Sequence, residues 1–340
     1  MRGNGESKMT RTAILPCVVL LAAATMSDAN DGFGGIGAGG LEFTQTDKVA
    51  MKSEDLFIST DKIKVSYVFA NTSDEDVTGE VIFPLPPIAV QDLFFSDMNL
   101  PENPDRENLV NFTVEVNGVE ITPKVERRAV HFSYAPESGE PVYGEDVTAL
   151  LAEAGAPLTL QPDRLVAAVE ALPPTTLDKL VSAGLVEVHD GPSQGSDKYL
   201  FKWAVAVRYH WTQTFPAAKE LSVRHAYENY PSGGIWSWEH PAKADYQKEL
   251  ERLYCIDEAT SKGLARCRTS YHIRYILGTA NTWKGPIGNF KLTIDKGHPR
   301  NILSLCAEGV EKTGPTTFVV EKNDYRPPDE LRILIASPGQ

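Results

Sequence analysis

His210, His225 and His240 lie in one region of the chain, with Glu228 and Glu239 between the last two. Imidazoles and a carboxylate are the ligands that zinc and related transition metals take. If the strands around His210 and His225 are antiparallel neighbours, the two rings approach. His210, His225, Glu228 and His240 are then a candidate metal centre for a hydrolase. Against this, their spacing matches no zinc signature. His210 also shares a strand face with Arg208 and Lys202, as a solvated or partly covered surface would.

The segment from Tyr227 to His240 offers a second kind of chemistry. Tyr227, Tyr230, Trp236 and Trp238 share it with Gly233, Gly234, Glu228 and Glu239. Rings in a loop bury contact area at little entropic cost. They are candidates for a recognition surface that takes a protein, peptide or glycan partner. The competing reading folds the loop onto the body, with its rings capping the core.

Two literal motif matches fail on context, and an acidic cluster fails on spacing. Gly32-Phe-Gly-Gly-Ile-Gly37 spells the dinucleotide fingerprint, but no strand precedes it to aim a helix at a pyrophosphate. It reads instead as a mobile or tightly turned glycine segment. Gly191-Pro-Ser193-Gln-Gly195 spells the nucleophile elbow, yet Pro192 precedes the serine and a strand follows at Tyr199. Asn71, Asp74, Asp76 and Glu80 lack the loop spacing of an EF-hand and read as a solvated acidic turn. No cofactor signature remains.

The elements that must carry these residues are mostly strands. Ile63, Val65, Tyr67 and Phe69 alternate with Lys62, Lys64 and Ser66, as in a half-buried strand. Val77 to Phe83 returns after the polar turn Asn71–Asp76 and stops at Pro84-Leu85-Pro86-Pro87. Val110 to Val116 meets Asn117-Gly118, a strong hairpin signal, and Val119 to Val125 completes that hairpin. The most regular alternation puts Tyr199, Phe201, Trp203, Val205, Val207, Tyr209 and Trp211 on one face of a long central strand. Glu220 to Tyr227 is expected to pair with it. Further strands are expected near Ser270–Leu277, Asn289–Ile294, Thr316–Val320 and Leu331–Ile335.

Between these stretches the period changes. Val147, Leu150, Leu151 and Ala154 form a helical stripe ended by Gly155. Leu165, Val166, Val169 and Leu172 form another, with Pro162 near its first turn. Leu177, Leu180 and Val181 form a third. These short helices read as an insertion packed on the sheets. A later helix is expected over Ala242–Cys255.

Residues 9–24 are a positively charged start followed by a short apolar run, and Ser27-Asp28-Ala29 supplies the small residues a signal peptidase inspects. Residues 1–29 therefore read as a signal peptide, with the mature chain starting at Asn30. Cys17 follows Pro16 and does not fit a lipidation site. The full chain carries a net charge of −13, and residues 1–29 hold Arg2, Lys8 and Arg11 against Glu6 and Asp28, so the mature chain is near −14. So acidic a chain does not track phosphate backbones, which argues against nucleic acid. No apolar run after residue 29 is long enough to span a membrane. Export permits disulfides. Cys255 and Cys267 flank one short segment and are expected to pair. Cys306 reads as a buried thiol, with a bridge from it to either of the others as the open alternative.

Several stretches together resemble an uncharacterised family of exported bacterial proteins, a domain of unknown function numbered 4424. They are Ala29-Asn30-Asp31, Gly39-Gly40-Leu41, Ser53-Glu54-Asp55-Leu56, Tyr67-Val-Phe-Ala-Asn71 and Phe83-Pro84-Leu85-Pro86. Trp211-Thr-Gln-Thr-Phe-Pro216, Val223-Arg-His-Ala-Tyr227 and Trp283-Lys-Gly-Pro-Ile287 complete the set. The resemblance implies export and one coherent fold, with no activity to carry over. Tyr67 to Pro86 also looks like part of the β-sandwich domain of inter-alpha-trypsin inhibitor heavy chains, which is extracellular and noncatalytic.

The expected fold is mainly β: β-sandwich-like regions of Ig-like or Greek-key antiparallel sheets with a small helical insertion. The expected segments are a signal peptide over 1–29, a β-sandwich-like region over 30–140 and the helical insertion over 141–192. A β-rich region with one helix pair fills 193–340. The first functional reading is a periplasmic or secreted, noncatalytic binding or structural module in the cell envelope. The alternative is a metal-dependent or other hydrolase built on His210, His225, Glu228 and His240.

Overall fold

Strand Trp203–Phe215 has burial on both faces along most of its length, and the fold is built around it. Its odd-numbered rings enter the main core, as their alternation predicts. Its even face is covered too: Ala204 packs with Ala89, Val130 and Phe132, and Arg208 donates to the Leu41 carbonyl at 3.3 Å. A strand buried on both faces is the interior strand of a sheet.

The computed structural model describes residues 30–37, 40–136, 139–189 and 198–339. The proposed signal peptide and the Gly191–Gly195 motif therefore lie outside the described residues. The protein is mainly β, with several antiparallel sheets and six α-helices among the described residues. In the first large sheet the order is Pro141–Asp146, Lys124–Tyr134, Trp203–Phe215, Val77–Pro84, Gly32–Gly37 and Gly40–Phe43, with Ile88–Ala89 also paired to Trp203–Phe215. The second runs Glu311–Lys312, Thr317–Tyr325, Ile287–Asp295, Val49–Ser59, Lys62–Asn71, Glu220–Glu228, Thr113–Val116 and Val119–Ile121. Its one parallel pairing joins Val49–Ser59 to Ile287–Asp295. The two sheets face each other through aromatic rings. Phe83 and Trp211 of the first meet His225 of the second at 5.1 and 5.5 Å, and Phe215 meets Phe69 at 5.8 Å.

Two pairings differ from the sequence expectation. Lys62–Asn71 and Val77–Pro84 are not a hairpin, because they belong to different sheets. The Asn71 turn instead carries the chain across the core; Asn71 is buried and donates to the carbonyls of Glu75 and Phe215 at 2.7 and 2.9 Å. In the same way, Glu220–Glu228 pairs with Lys62–Asn71 and Thr113–Val116, not with Trp203–Phe215. In both cases the connecting segment steps between layers. The Asn117-Gly118 hairpin forms as its residues predict: both have positive φ, 51° and 79°, and Val116 faces Val119.

The glycine-rich start is a strand rather than a turn. Gly32–Gly37 pairs with Val77–Pro84 on one side and Gly40–Phe43 on the other. Its glycines permit close approach: a Cβ at Gly34 would lie 2.4 Å from Ile82 Cδ1 and 2.5 Å from the Glu42 carbonyl oxygen.

Helices Thr148–Ala154, Pro162–Glu170 and Pro174–Ser182 follow the apolar stripes, and bury Leu151, Leu165, Val169 and Leu180 in the main core. A third sheet, Ser232–Ile235, Thr269–Ile276, Glu330–Ser337 and Ile302–Leu305, joins two cores. Ile333 and Ile335 face the main core. Leu334 and Ala336 face a smaller one with Trp236, Trp238, Tyr254, Leu264 and Cys267. Helices Asp245–Tyr254 and Glu258–Leu264 cover that smaller core.

The disulfide joins Cys255 to Cys306, and Cys267 is a buried free thiol. This corrects the expected Cys255–Cys267 pair. Helix Glu258–Leu264 lies between those two residues and carries Cys267 inward, among Leu264 and Leu334. Cys255 ends the preceding helix in a left-handed conformation, φ 50°, beside the end of the edge strand that leads into Cys306.

Candidate functional site

A cleft of about 580 Å³ opens where the first sheet, the third sheet and the segment from Ser96 to Val110 meet. Leu85, Ile88, Met98, Leu100, Leu109 and Val110 give it an apolar wall. Pro86 and Pro87 end strand Val77–Pro84 and turn the chain along the rim, since proline offers no amide to continue a ladder. Opposite, strand Thr269–Ile276 presents His272 and Arg274 two residues apart, hence on one face.

The polar groups in the cleft are tied to one another. Tyr134 donates to Asp92 at 2.6 Å. Arg274 donates to Glu330 at 2.6 Å and to the Tyr143 hydroxyl at 3.2 Å. Burial opposes the Arg274 charge, but Tyr143 and Glu330 outweigh it and hold the guanidinium protonated. Burial pushes the Asp92 carboxyl above its ordinary value, against the Tyr134 hydrogen bond and the Arg274 charge. His272 sits between Tyr254, 2.9 Å from Nδ1, and Ser270, 3.2 Å from Nε2. Burial lowers the imidazole to about 4, so it is neutral near pH 7. The arrangement has apolar walls and a few fixed donors and acceptors.

The four residues expected to bind metal are not brought together. His210 is buried on the even face of strand Trp203–Phe215, on the side away from the main core, with Nδ1 2.7 Å from Glu80. Burial alone would raise the Glu80 carboxyl, but hydrogen bonds from His210 and Thr212 hold it below its ordinary value. His225 faces inward from the second sheet, with Nε2 3.3 Å from Asp31 and both side chains fully covered. Glu228 accepts from Tyr230 at 2.5 Å and lies 3.3 Å from Arg106 at the cleft mouth. The fourth, His240, has Nδ1 3.0 Å from the Ser261 hydroxyl, beside the small core. The two histidine strands lie in different layers, so their rings point apart. Among the described residues, no group of three histidine, cysteine, aspartate or glutamate side chains is placed to hold a metal ion. The acidic turn is also separated: Asp76 accepts from the Ala217 amide at 2.8 Å, while Glu80 serves His210.

The four candidate recognition aromatics divide. Tyr227 and Tyr230 line the cleft. Trp236 and Trp238 are buried in the smaller core, stacked with centroids 5.4 Å apart and planes 5° apart. Sequence reading missed Asp92, Tyr134, Tyr143, Tyr254, His272 and Arg274. The ionisable His272 and Arg274, two residues apart in strand Thr269–Ile276, were the available signal.

Residues 29–334 match the family described as "Domain of unknown function (DUF4424)". The chain belongs to this family. No curated protein matches it. Among solved structures, it is similar to one titled as a "putative nutrient binding protein" from Legionella pneumophila subsp. pneumophila str. Philadelphia 1. The likeness has 15% identity and a TM-score of 0.42, and covers 90% of this chain and 71% of that one. DUF4424 membership spans both large sheets, the third sheet up to residue 334 and every residue that lines the cleft.

Proposed function

We propose that this DUF4424 protein is an exported, noncatalytic binding module whose cleft takes a small, largely apolar ligand. One observation carries the reading: an apolar-walled cleft whose polar side chains already hold one another in fixed positions. Small-molecule sites have this form, at about 300–1,000 Å³ with few polar groups. A general acid or base needs a proton-transfer partner on the substrate side; here Tyr254 and Ser270 occupy both nitrogens of His272. Export is supported by the charged-then-apolar residues 9–24 and by the Cys255–Cys306 disulfide. Among the described residues, no helix is long and apolar enough to cross a membrane.

Titration with the amphiphilic dye 8-anilinonaphthalene-1-sulfonate, whose aromatic rings seek apolar surface, tests the cleft. Saturable binding at one site is expected, weakened at least about tenfold by Met98→Trp, which puts a bulky ring on the cleft wall and narrows it. Binding that does not saturate, or that ignores Met98→Trp, sinks the reading. Fractionation of cells tests export separately.

A further inference from the structure

Asn30 and Asp31 have no exposed surface. The Asn30 amide donates to Thr279 Oγ1 at 2.6 Å, and its side chain donates to Glu54 at 3.0 Å. Trp283 Nε1 donates to the Asp31 carbonyl at 2.6 Å. Tyr67 donates to the Asn30 side-chain oxygen. Two carboxyl groups, Asp31 and Glu54, thus share one interior site with Asn30.

Among the described residues, no lysine or arginine is paired with either carboxyl. Both carboxyl oxygens of Asp31, one of Glu54 and both nitrogens of His225 are buried without a hydrogen-bond partner. Among the described residues, only His225 lies within ion-pair distance of either carboxyl. Burial lowers His225 to about 3, so it brings no charge. The same burial raises Asp31 and Glu54, Glu54 to about 8. A carboxylate buried without a counter-charge is strongly unfavourable, and that cost is what pushes both groups up. The geometry does not suit a metal ion.

We propose that the counter-charge is the α-ammonium of Asn30, formed when the chain is cut between Ala29 and Asn30. This rests on the export reading above. Hydrolysis of that bond consumes one water, leaves a carboxylate on Ala29 of the departing leader and an amine on Asn30, and the amine takes up a proton. An ammonium has three N–H donors where the peptide amide has one. One keeps Thr279, and the others serve the carboxyls of Asp31, the next residue, and Glu54, already bound to the Asn30 side chain. The family match begins at residue 29, so Asn30 and Asp31 belong to the shared fold. Leader removal therefore completes the core, and the uncut precursor is the less stable form.

The test compares the chain starting at Asn30, released from a cleavable fusion, with the same chain carrying a Gly-Ser extension before Asn30. The cut chain is expected to melt at least about 6 °C higher. The gap should close when both chains carry Asp31→Asn and Glu54→Gln. Equal melting of the two unsubstituted chains overturns the proposal, as does a gap that persists in the doubly substituted pair. A second readout needs no variant. Acetylation of the Asn30 α-amine, followed by mass spectrometry, should be at least about 100-fold slower in the folded chain than in urea; a similar rate in both overturns the proposal. In cells, an exported protein starting at Asn30 supports it, and one starting elsewhere overturns it. A chain retained in the cytoplasm with residues 1–29 attached overturns the export reading and this proposal with it. Equal melting in vitro overturns this proposal alone.

Discussion

The Tyr254 hydroxyl lies 2.9 Å from Nδ1 of His272, linking helix Asp245–Tyr254 to the third sheet at the floor of the cleft. Both partners are largely buried, so neither has water as a substitute. Tyr254→Phe leaves a buried imidazole nitrogen without its partner. It should cost about 1–3 kcal/mol, read by chemical denaturation. A change below about 0.5 kcal/mol would show that the bond contributes little.

Acid should destabilise the fold through histidines. Burial lowers His272 to about 4 and His225 to about 3, against an ordinary value near 6.5. The unfolded chain therefore takes up protons first as pH falls. Stability from these groups is fully present above about pH 6.5 and declines from there toward pH 4. His272→Gln should reduce that slope by about one proton, measured by denaturation across pH 7.5 to 5. An unchanged slope would show that His272 titrates normally.

Removing the disulfide and removing the free thiol should differ in size. Cys255 and Cys306 are 51 residues apart, and closing such a loop contributes about 4 kcal/mol in the chain-entropy model. Cys255→Ser with Cys306→Ser should show most of that loss. Cys267→Ala removes only a small buried sulfur and should cost about 1 kcal/mol. Peptide mapping without reduction should recover Cys255 linked to Cys306, and a Cys255–Cys267 peptide would refute the pairing.

Neighbouring glycines in the first strand make a paired test. A Cβ at Gly34 meets a backbone oxygen at 2.5 Å, whereas one at Gly35 meets nothing within 4 Å. Gly34→Ala should destabilise by about 1–3 kcal/mol. Gly35→Ala should be neutral or slightly stabilising. Equal effects would mean that Gly32–Gly37 does not pack as a strand here.

Much of the fold was legible in local pattern. The alternation from Trp203 to Trp211 sets which side chains enter the core, because successive strand residues point to opposite faces. Asn117 and Gly118 fix their hairpin because both tolerate positive φ. The stripes at Leu151, Leu165 and Leu180 fix three helices by their period. These signals are complete within a few residues of chain.

Partner choice is not local, and only the tertiary structure decided it. Lys62–Asn71 and Val77–Pro84 adjoin in sequence but lie in different sheets, since a short polar turn can reverse a strand or step between layers. A second step, between Phe215 and Glu220, puts His225 in the interior and His210 on the far face of another sheet, which separates a ligand set that looked plausible in one dimension. Cys255 met Cys306 because a helix carried Cys267 away. The cleft joins Asp92, Tyr134 and Arg274 from distant stretches, so their shared chemistry exists only once the sheets have packed.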